Sequence, residues 1–159
     1  MAYFSKQKGN AKALTPDEAL VKMENYCAYR ERCWQEVDQK IKTLGITSEI
    51  AGEIRRVLQE DGYVDDARFA RAFAGGKFRV NRWGRVRIRL ELQRRGISPG
   101  DIESALEDID EQEYRLVLQE RLMKKRVQYQ ADTDPQGRAK AAAALIRSGF
   151  EPELVFRHL

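Results

Sequence analysis

Arg85-Val86-Arg87-Ile88-Arg89-Leu90-Glu91-Leu92 is the stretch on which the fold turns, because it can be read two ways. Strict alternation of charged and apolar residues is the pattern of a half-buried strand. Arg, Leu, Glu and Gln are also good helix formers, since unbranched side chains lose little freedom on a helix. The segment alone does not choose, but its neighbours do. Arg95-Gly96-Ile97-Ser98 just beyond it is matched by Leu44-Gly45-Ile46-Thr47 and by Ser148-Gly149-Phe150-Glu151, with the glycines 51 and 53 residues apart. Eight and four residues before each glycine stand Val37 and Ile41, Ile88 and Leu92, and Ala141 and Leu145. That spacing puts each pair on one helical face. The sister segments, Trp34 to Leu44 and Ala139 to Ile146, carry helical patterns, so Arg85 to Leu92 is read as the middle member of three equivalent helices.

Working outward, each copy has a helix before it and a short one after it. Thr15-Pro16-Asp17-Glu18 supplies a cap, a proline at the first helical position and a glutamate placed to reach back, so a helix starts at Pro16 and runs to Cys27 or Tyr29. Trp34, Val37, Ile41 and Leu44 form the stripe of a second helix, ended by Gly45. Ile50, Ile54, Val57 and Leu58 form that of a third, ending near Asp61-Gly62. Ser98-Pro99 with Ile102 and Leu106, and Pro152 with Leu154 and Val155, repeat the short helix. Asp134-Pro135 caps the helix before Gly149. The expected fold is all-α: three tandem three-helix repeats at 15–62, 63–109 and 110–159, forming an elongated, curved array behind a mobile basic tail at 1–14 that contains Lys6, Lys8 and Lys12. Gly75-Gly76 should weaken the fourth helix by roughly 1 kcal/mol per glycine relative to alanine, so a bend or early end is expected there.

Between Ala67 and Gly100 there are ten basic residues against one acid, Glu91, a local charge of +9 on a chain whose total is +4. The candidate partner-binding residues are Lys77, Arg79, Arg82, Arg85, Arg87, Arg89, Arg94 and Arg95. Such a concentration suits an anionic partner, either nucleic acid or an acidic protein surface; it also suits a solvated helix face. Residues 101–113 invert the charge, with seven acids and no base, and should neutralise part of the arginine helix. On that helix Ile88 and Leu92 face the core of the repeat, while Val86 and Leu90 lie roughly opposite and should meet the neighbouring repeat or the partner.

Other function classes find little support. Gly76-Lys77 lacks the first glycine of a phosphate loop, since Arg71 stands there, and Phe78 replaces the required Ser or Thr. Asp65-Asp66 are explained by a helix start, where carboxylates favour the positive end of the dipole. His158, in the final turn, would be badly held as a general base. Cys27 and Cys33 have no second pair at metal-ligand spacing and are expected to be small packing residues in a reducing compartment. No catalytic residue, cofactor or metal is expected, and the protein is not read as an enzyme. There is no apolar run of about 18 residues, and the N-terminus lacks the apolar stretch of a signal peptide. The expectation is a cytoplasmic monomer with no membrane partner.

Tyr63-Val64-Asp65-Asp66-Ala67-Arg68-Phe69-Ala70, followed by Trp83-Gly84, Ile88, Leu92 and Arg95-Gly96-Ile97, resembles the central signature of the RecX family, regulators of the RecA recombinase. Tyr29-Arg30-Glu31-Arg32 leading to Glu36-Val37 is similar to the family's first-repeat pattern. The chain departs from the pattern at Gly75-Gly76 and at the more apolar Val86 and Leu90. The resemblance implies a curved array of three-helix units that lies in the groove of the RecA filament on single-stranded DNA and bridges protomers. It also implies suppression of ATP hydrolysis, strand exchange and the coprotease activity behind the SOS response, with consequences for recombination and DNA repair. A second reading is a helix-turn-helix-like protein acting directly on single- or double-stranded DNA; a third is a passive helical scaffold.

Overall fold

Most helix starts are set by a side chain one position outside the helix. Thr15 accepts a hydrogen bond from the Glu18 amide (3.2 Å), Asp65 from Arg68 (3.1 Å), Ser98 from Asp101 (3.3 Å), Asp110 from Glu113 (2.8 Å) and Asp134 from Gln136 (3.0 Å). Each satisfies an amide that a first helical turn leaves without a partner. In the computed structural model, which describes residues 13–159, these starts open helices α1 (Pro16–Tyr29), α4 (Asp66–Arg79), α6 (Pro99–Glu107), α7 (Glu111–Tyr129) and α8 (Pro135–Arg147). The remaining helices are α2 (Trp34–Thr43), α3 (Ser48–Glu60), α5 (Arg85–Arg94) and α9 (Pro152–His158), and the described residues contain no strand. The tail reading lies outside the described residues as far as Lys12, and Leu14, expected at its end, packs against the core of α1–α3.

The alternating segment is therefore helical, and Ile88 and Leu92 are fully buried on it. The repeat that argued for a helix is visible bond by bond. After α2, α5 and α8 the chain turns through Gly45, Gly96 and Gly149 at φ +69°, +72° and +99°. In each turn the glycine amide reaches back three residues, and the next amide reaches back five: Ile46 to Ile41 (3.2 Å), Ile97 to Leu92 (3.2 Å), Phe150 to Leu145 (3.1 Å). This is the Schellman arrangement, which uses a left-handed residue to satisfy the last carbonyls while an apolar pair closes over them.

The chain divides into two compact units at Val64 and Asp65. In the first, Ala19, Met23, Cys27, Val37, Ile41, Ile54, Leu58 and Val64 form the core of α1–α3, with Tyr26, Trp34 and Ile50 half-buried around it. Both cysteines are buried, unlinked thiols, and burial pushes that of Cys27 up to about 11. Arg32 is buried as well; its guanidinium lies 3.7 Å from the centre of the Tyr26 ring and its Nε donates to the Tyr26 carbonyl at 3.1 Å.

The second unit holds α4–α9, with α4 packed on α6 and α7 on α8. Its centre is a run of rings, Phe78 to Tyr114 (5.7 Å between centroids) and Tyr114 to Phe150 (5.3 Å). The early end expected at Gly75-Gly76 does not occur, because α4 continues to Arg79. Phe69, Ala70, Ala74 and Phe78 are buried along it. Burying Phe69 and Phe78 contributes about 1.5–3 kcal/mol each, which outweighs about 2 kcal/mol for the two glycines.

Candidate interaction face

Helix α5 is preceded by Gly84, which has no side chain to cap it, and the amides at its start are satisfied from 29 to 64 residues away in sequence. Gly84 N donates to the Ser148 carbonyl (2.9 Å), Arg85 N to the Tyr114 hydroxyl (3.1 Å), and Val86 N to the Gly149 carbonyl (2.9 Å). The two glycines make this approach possible. A Cβ on Gly84 would lie 2.3 Å from the Gly149 carbonyl carbon and oxygen, and one on Gly149 would lie 2.3 Å from the Arg87 Cβ. Tyr114, with no exposed surface, donates in turn to Glu151 at 2.6 Å. Burial, reinforced by Glu151, pushes its phenol far above the usual range, so the hydroxyl keeps its proton and remains a donor. Arg121 closes the other side, donating to the Arg82 carbonyl (2.6 Å) and to Ser148 Oγ (3.2 Å). Arg82 itself turns the chain into α5 at φ +57°. The arginine helix is thus fixed on α7–α9, and its side chains have defined directions.

The eight expected contact residues fall into two groups. Arg85 is largely buried, its guanidinium 3.8 Å from the centre of the Tyr114 ring, where it meets Glu111 and, at 3.5 Å, Glu151. Arg89 grips Glu103 with Nε at 2.8 Å and Nη2 at 3.3 Å. That bond raises Arg89 and holds the Glu103 carboxyl below its ordinary range. Arg94 and Arg95 share Glu91 at 2.8 and 3.0 Å, and the bond from Arg95 lowers the Glu91 carboxyl. Arg82 stands 3.9 Å from Glu120. The acids after residue 100 do neutralise part of the arginine helix, through Glu103 and Glu111.

Lys77, Arg79 and Arg87 form the second group, and among the described residues none has a carboxylate within 4.0 Å. Lys77 sits 4.9 Å from the centre of the Trp83 ring and Arg87 sits 3.9 Å from it, each close enough for a cation–π contact. Phe73 extends the platform, with its ring 6.4 Å from Trp83 and Arg95 4.6 Å away. Arg79 lies with Arg71 on one wall of a cleft of about 330 Å³ whose other wall carries Asp108, Asp110 and Glu113. The structure thus brings Lys77, Arg87 and Arg95 together over Phe73 and Trp83, and places Arg79 apart from them. Trp83 and Arg121 were not among the residues singled out from charge. Trp83-Gly84 stood out only through the family resemblance, and nothing in the sequence separates Arg121 from Arg115 and Arg126 of the same helix.

Such a face can hold anionic or π-rich groups. Among the described residues, no group of three or more His, Cys, Asp or Glu could hold a metal ion, and no helix is long and apolar enough to cross a membrane. These features define a tandem three-helix-repeat protein with a cationic, aromatic-backed face on its middle repeat.

Known proteins are similar to this chain in sequence and in fold. The family model described as "RecX, second three-helix domain" matches residues 65–106. The chain is 31% identical over 133 residues to Regulatory protein RecX of Pseudomonas entomophila, and 32% identical over 136 residues to that of Pseudomonas putida, covering 83% of both partners in each case. It is 25% identical to Regulatory protein RecX of Leuconostoc mesenteroides, of which it spans 47%. The crystal structure of RecX from Lactobacillus salivarius superimposes with a TM-score of 0.82 at 21% identity, over 90% of this chain and 93% of the other. A further RecX crystal structure gives 0.77 at 19% identity, over 90% and 72%. The chain belongs to the RecX family, and the three-helix repeats expected from its glycine turns are those of that fold.

Proposed function

We propose that this protein regulates the RecA recombinase. It binds the filament that RecA forms on single-stranded DNA and lowers its ATP hydrolysis, strand exchange and coprotease activity, tempering recombination, DNA repair and the SOS response. The observation that carries this reading is the likeness to Regulatory protein RecX of two pseudomonads, which runs through 83% of each chain. It acts by binding, as a monomer in the cytoplasm, and turns over no substrate of its own.

The geometry divides the labour among the cations. Lys77, Arg79 and Arg87 have no ion-pair partner among the described residues and are the contact residues of this reading, Arg79 sharing its cleft with Asp108, Asp110 and Glu113. Arg85 and Arg89, engaged by Glu111, Glu151 and Glu103, hold the face in place. An arginine already held by a carboxylate would have to give up that bond to engage a partner, which cancels most of the gain.

Measuring RecA ATPase on single-stranded DNA tests the reading. Substoichiometric amounts of the protein should slow hydrolysis, and Lys77→Glu with Arg87→Glu should weaken that effect by about tenfold or more, the scale of one or two lost charge contacts. Unchanged hydrolysis at equimolar protein would end the proposal. Tight binding to naked DNA, with log affinity falling against log salt by about 0.7–0.9 per neutralised phosphate, would favour direct action on DNA instead.

A further inference from the structure

The docking of Gly149 onto the start of α5 leaves a groove between α5 and the end of α8. It is open to solvent, holds about 280 Å³, and is lined by Val86, Arg87, Leu90, Glu91, Arg94, Ile146, Arg147 and Gly149. Val86 and Leu90 are the apolar residues on the side of α5 away from its core. Val86 is half-buried against the third repeat through its bond to Gly149, whereas Leu90 keeps 49% of its surface exposed. Three arginines stand around this aliphatic floor against one glutamate. That glutamate, Glu91, is already shared by Arg94 and Arg95, and among the described residues Arg87 and Arg147 have no carboxylate within ion-pair distance.

We infer that this groove binds an acidic peptide segment of a partner protein, seating aliphatic side chains on Val86, Leu90 and Ile146 and carboxylates on Arg87 and Arg147. Charge complementarity selects an anionic occupant, and the floor selects its class. A nucleic-acid strand gains from stacking on open aromatic faces, but this floor is aliphatic, and the nearby Trp83 ring is covered by Arg87 at 3.9 Å. Aliphatic side chains flanked by carboxylates satisfy both parts of the surface, and guanidinium forks match carboxylates in shape as well as in charge. The inference rests on the filament reading only for which protein supplies the segment.

The test uses the intact protein and a fluorescein-labelled peptide in which glutamates alternate with leucines, read by anisotropy. Micromolar binding is expected. Leu90→Gln and Arg147→Gln should each weaken it about tenfold, and an unlabelled oligothymidine strand should not compete. Leu90 is half exposed and Arg147 makes no ion pair, so neither substitution removes a core contact; unchanged melting curves would confirm this. The inference is overturned if the peptide does not bind, if both variants bind it as well as the parent, or if oligothymidine displaces it, which would make the groove a nucleic-acid site. It is overturned equally if sedimentation shows a dimer that Leu90→Gln dissociates, which would make the occupant a second copy. Because no filament is present in the assay, peptide binding with unaltered RecA ATPase would retain the groove and reject the filament reading; the reverse result would do the opposite.

Discussion

The turn after α2 and the turn after α8 have the same hydrogen bonds and the same left-handed glycine, yet do different work. Around Gly45 there is open space, and a Cβ there would meet nothing within 4 Å. Gly149 lies against α5, and its carbonyl and that of Ser148 complete the start of that helix. A local motif that only stops a helix in the first repeat has become, in the third, the surface on which the second is built. Identical local geometry therefore does not mean equal sensitivity to change.

Substitution should expose that difference most strongly at Gly84. Gly84→Ala drives a methyl into the Gly149 backbone and should destabilise the second unit by about 3 kcal/mol or more, visible as a lowered thermal or denaturant midpoint. A cost under about 1 kcal/mol would mean that the two turns are equivalent after all. Tyr114→Phe removes the acceptor of the Arg85 amide and the donor to Glu151 while keeping the ring packing, and should cost about 2 kcal/mol in the same assay. Gly45→Ala, where only the left-handed backbone resists a side chain, should cost about 1 kcal/mol.

A smaller and broader effect should follow acidity. Glu91, Glu103 and Glu111 are held below the ordinary value of 4.5, by Arg95, by Arg89 and, for Glu111, by Arg115 ahead of Arg85. Folding thus lowers their affinity for protons, and the stability they confer is present above pH 4.5 and is lost as the pH falls below it, through their folded values. The melting temperature should be steady near neutrality and drop in that acid range. Arg89→Gln should make the drop shallower; an unchanged slope would mean that the Glu103 pair contributes nothing.

Much of the fold was legible because its determinants are local. Thr15, Asp65, Ser98 and Asp134 each cap a helix within a few residues of themselves, and the eight-and-four spacing before each glycine is a property of one helix. The alternating arginine segment was ambiguous by itself and was resolved only by its sister segments. The cationic face was legible as charge but not as geometry. Nothing in the order of residues distinguishes Arg85, folded onto Tyr114, from Arg87, left without a carboxylate, because their partners lie in other helices. One sign was present. Gly84 occupies the cap position that Asp134 fills in the third repeat, and a glycine in place of a capping side chain marks a spot where another backbone comes close.

The Glu151 carboxylate that holds Arg85 lies 66 residues further along the chain. At translation rates of about 5–20 residues per second, the start of the arginine-dense helix is made roughly 3–13 s before Ser148, Gly149 and Glu151. Until then the Gly84 and Val86 amides lack the Ser148 and Gly149 carbonyls that complete the helix start. Maturation of the middle repeat is therefore gated by synthesis of the one that follows it.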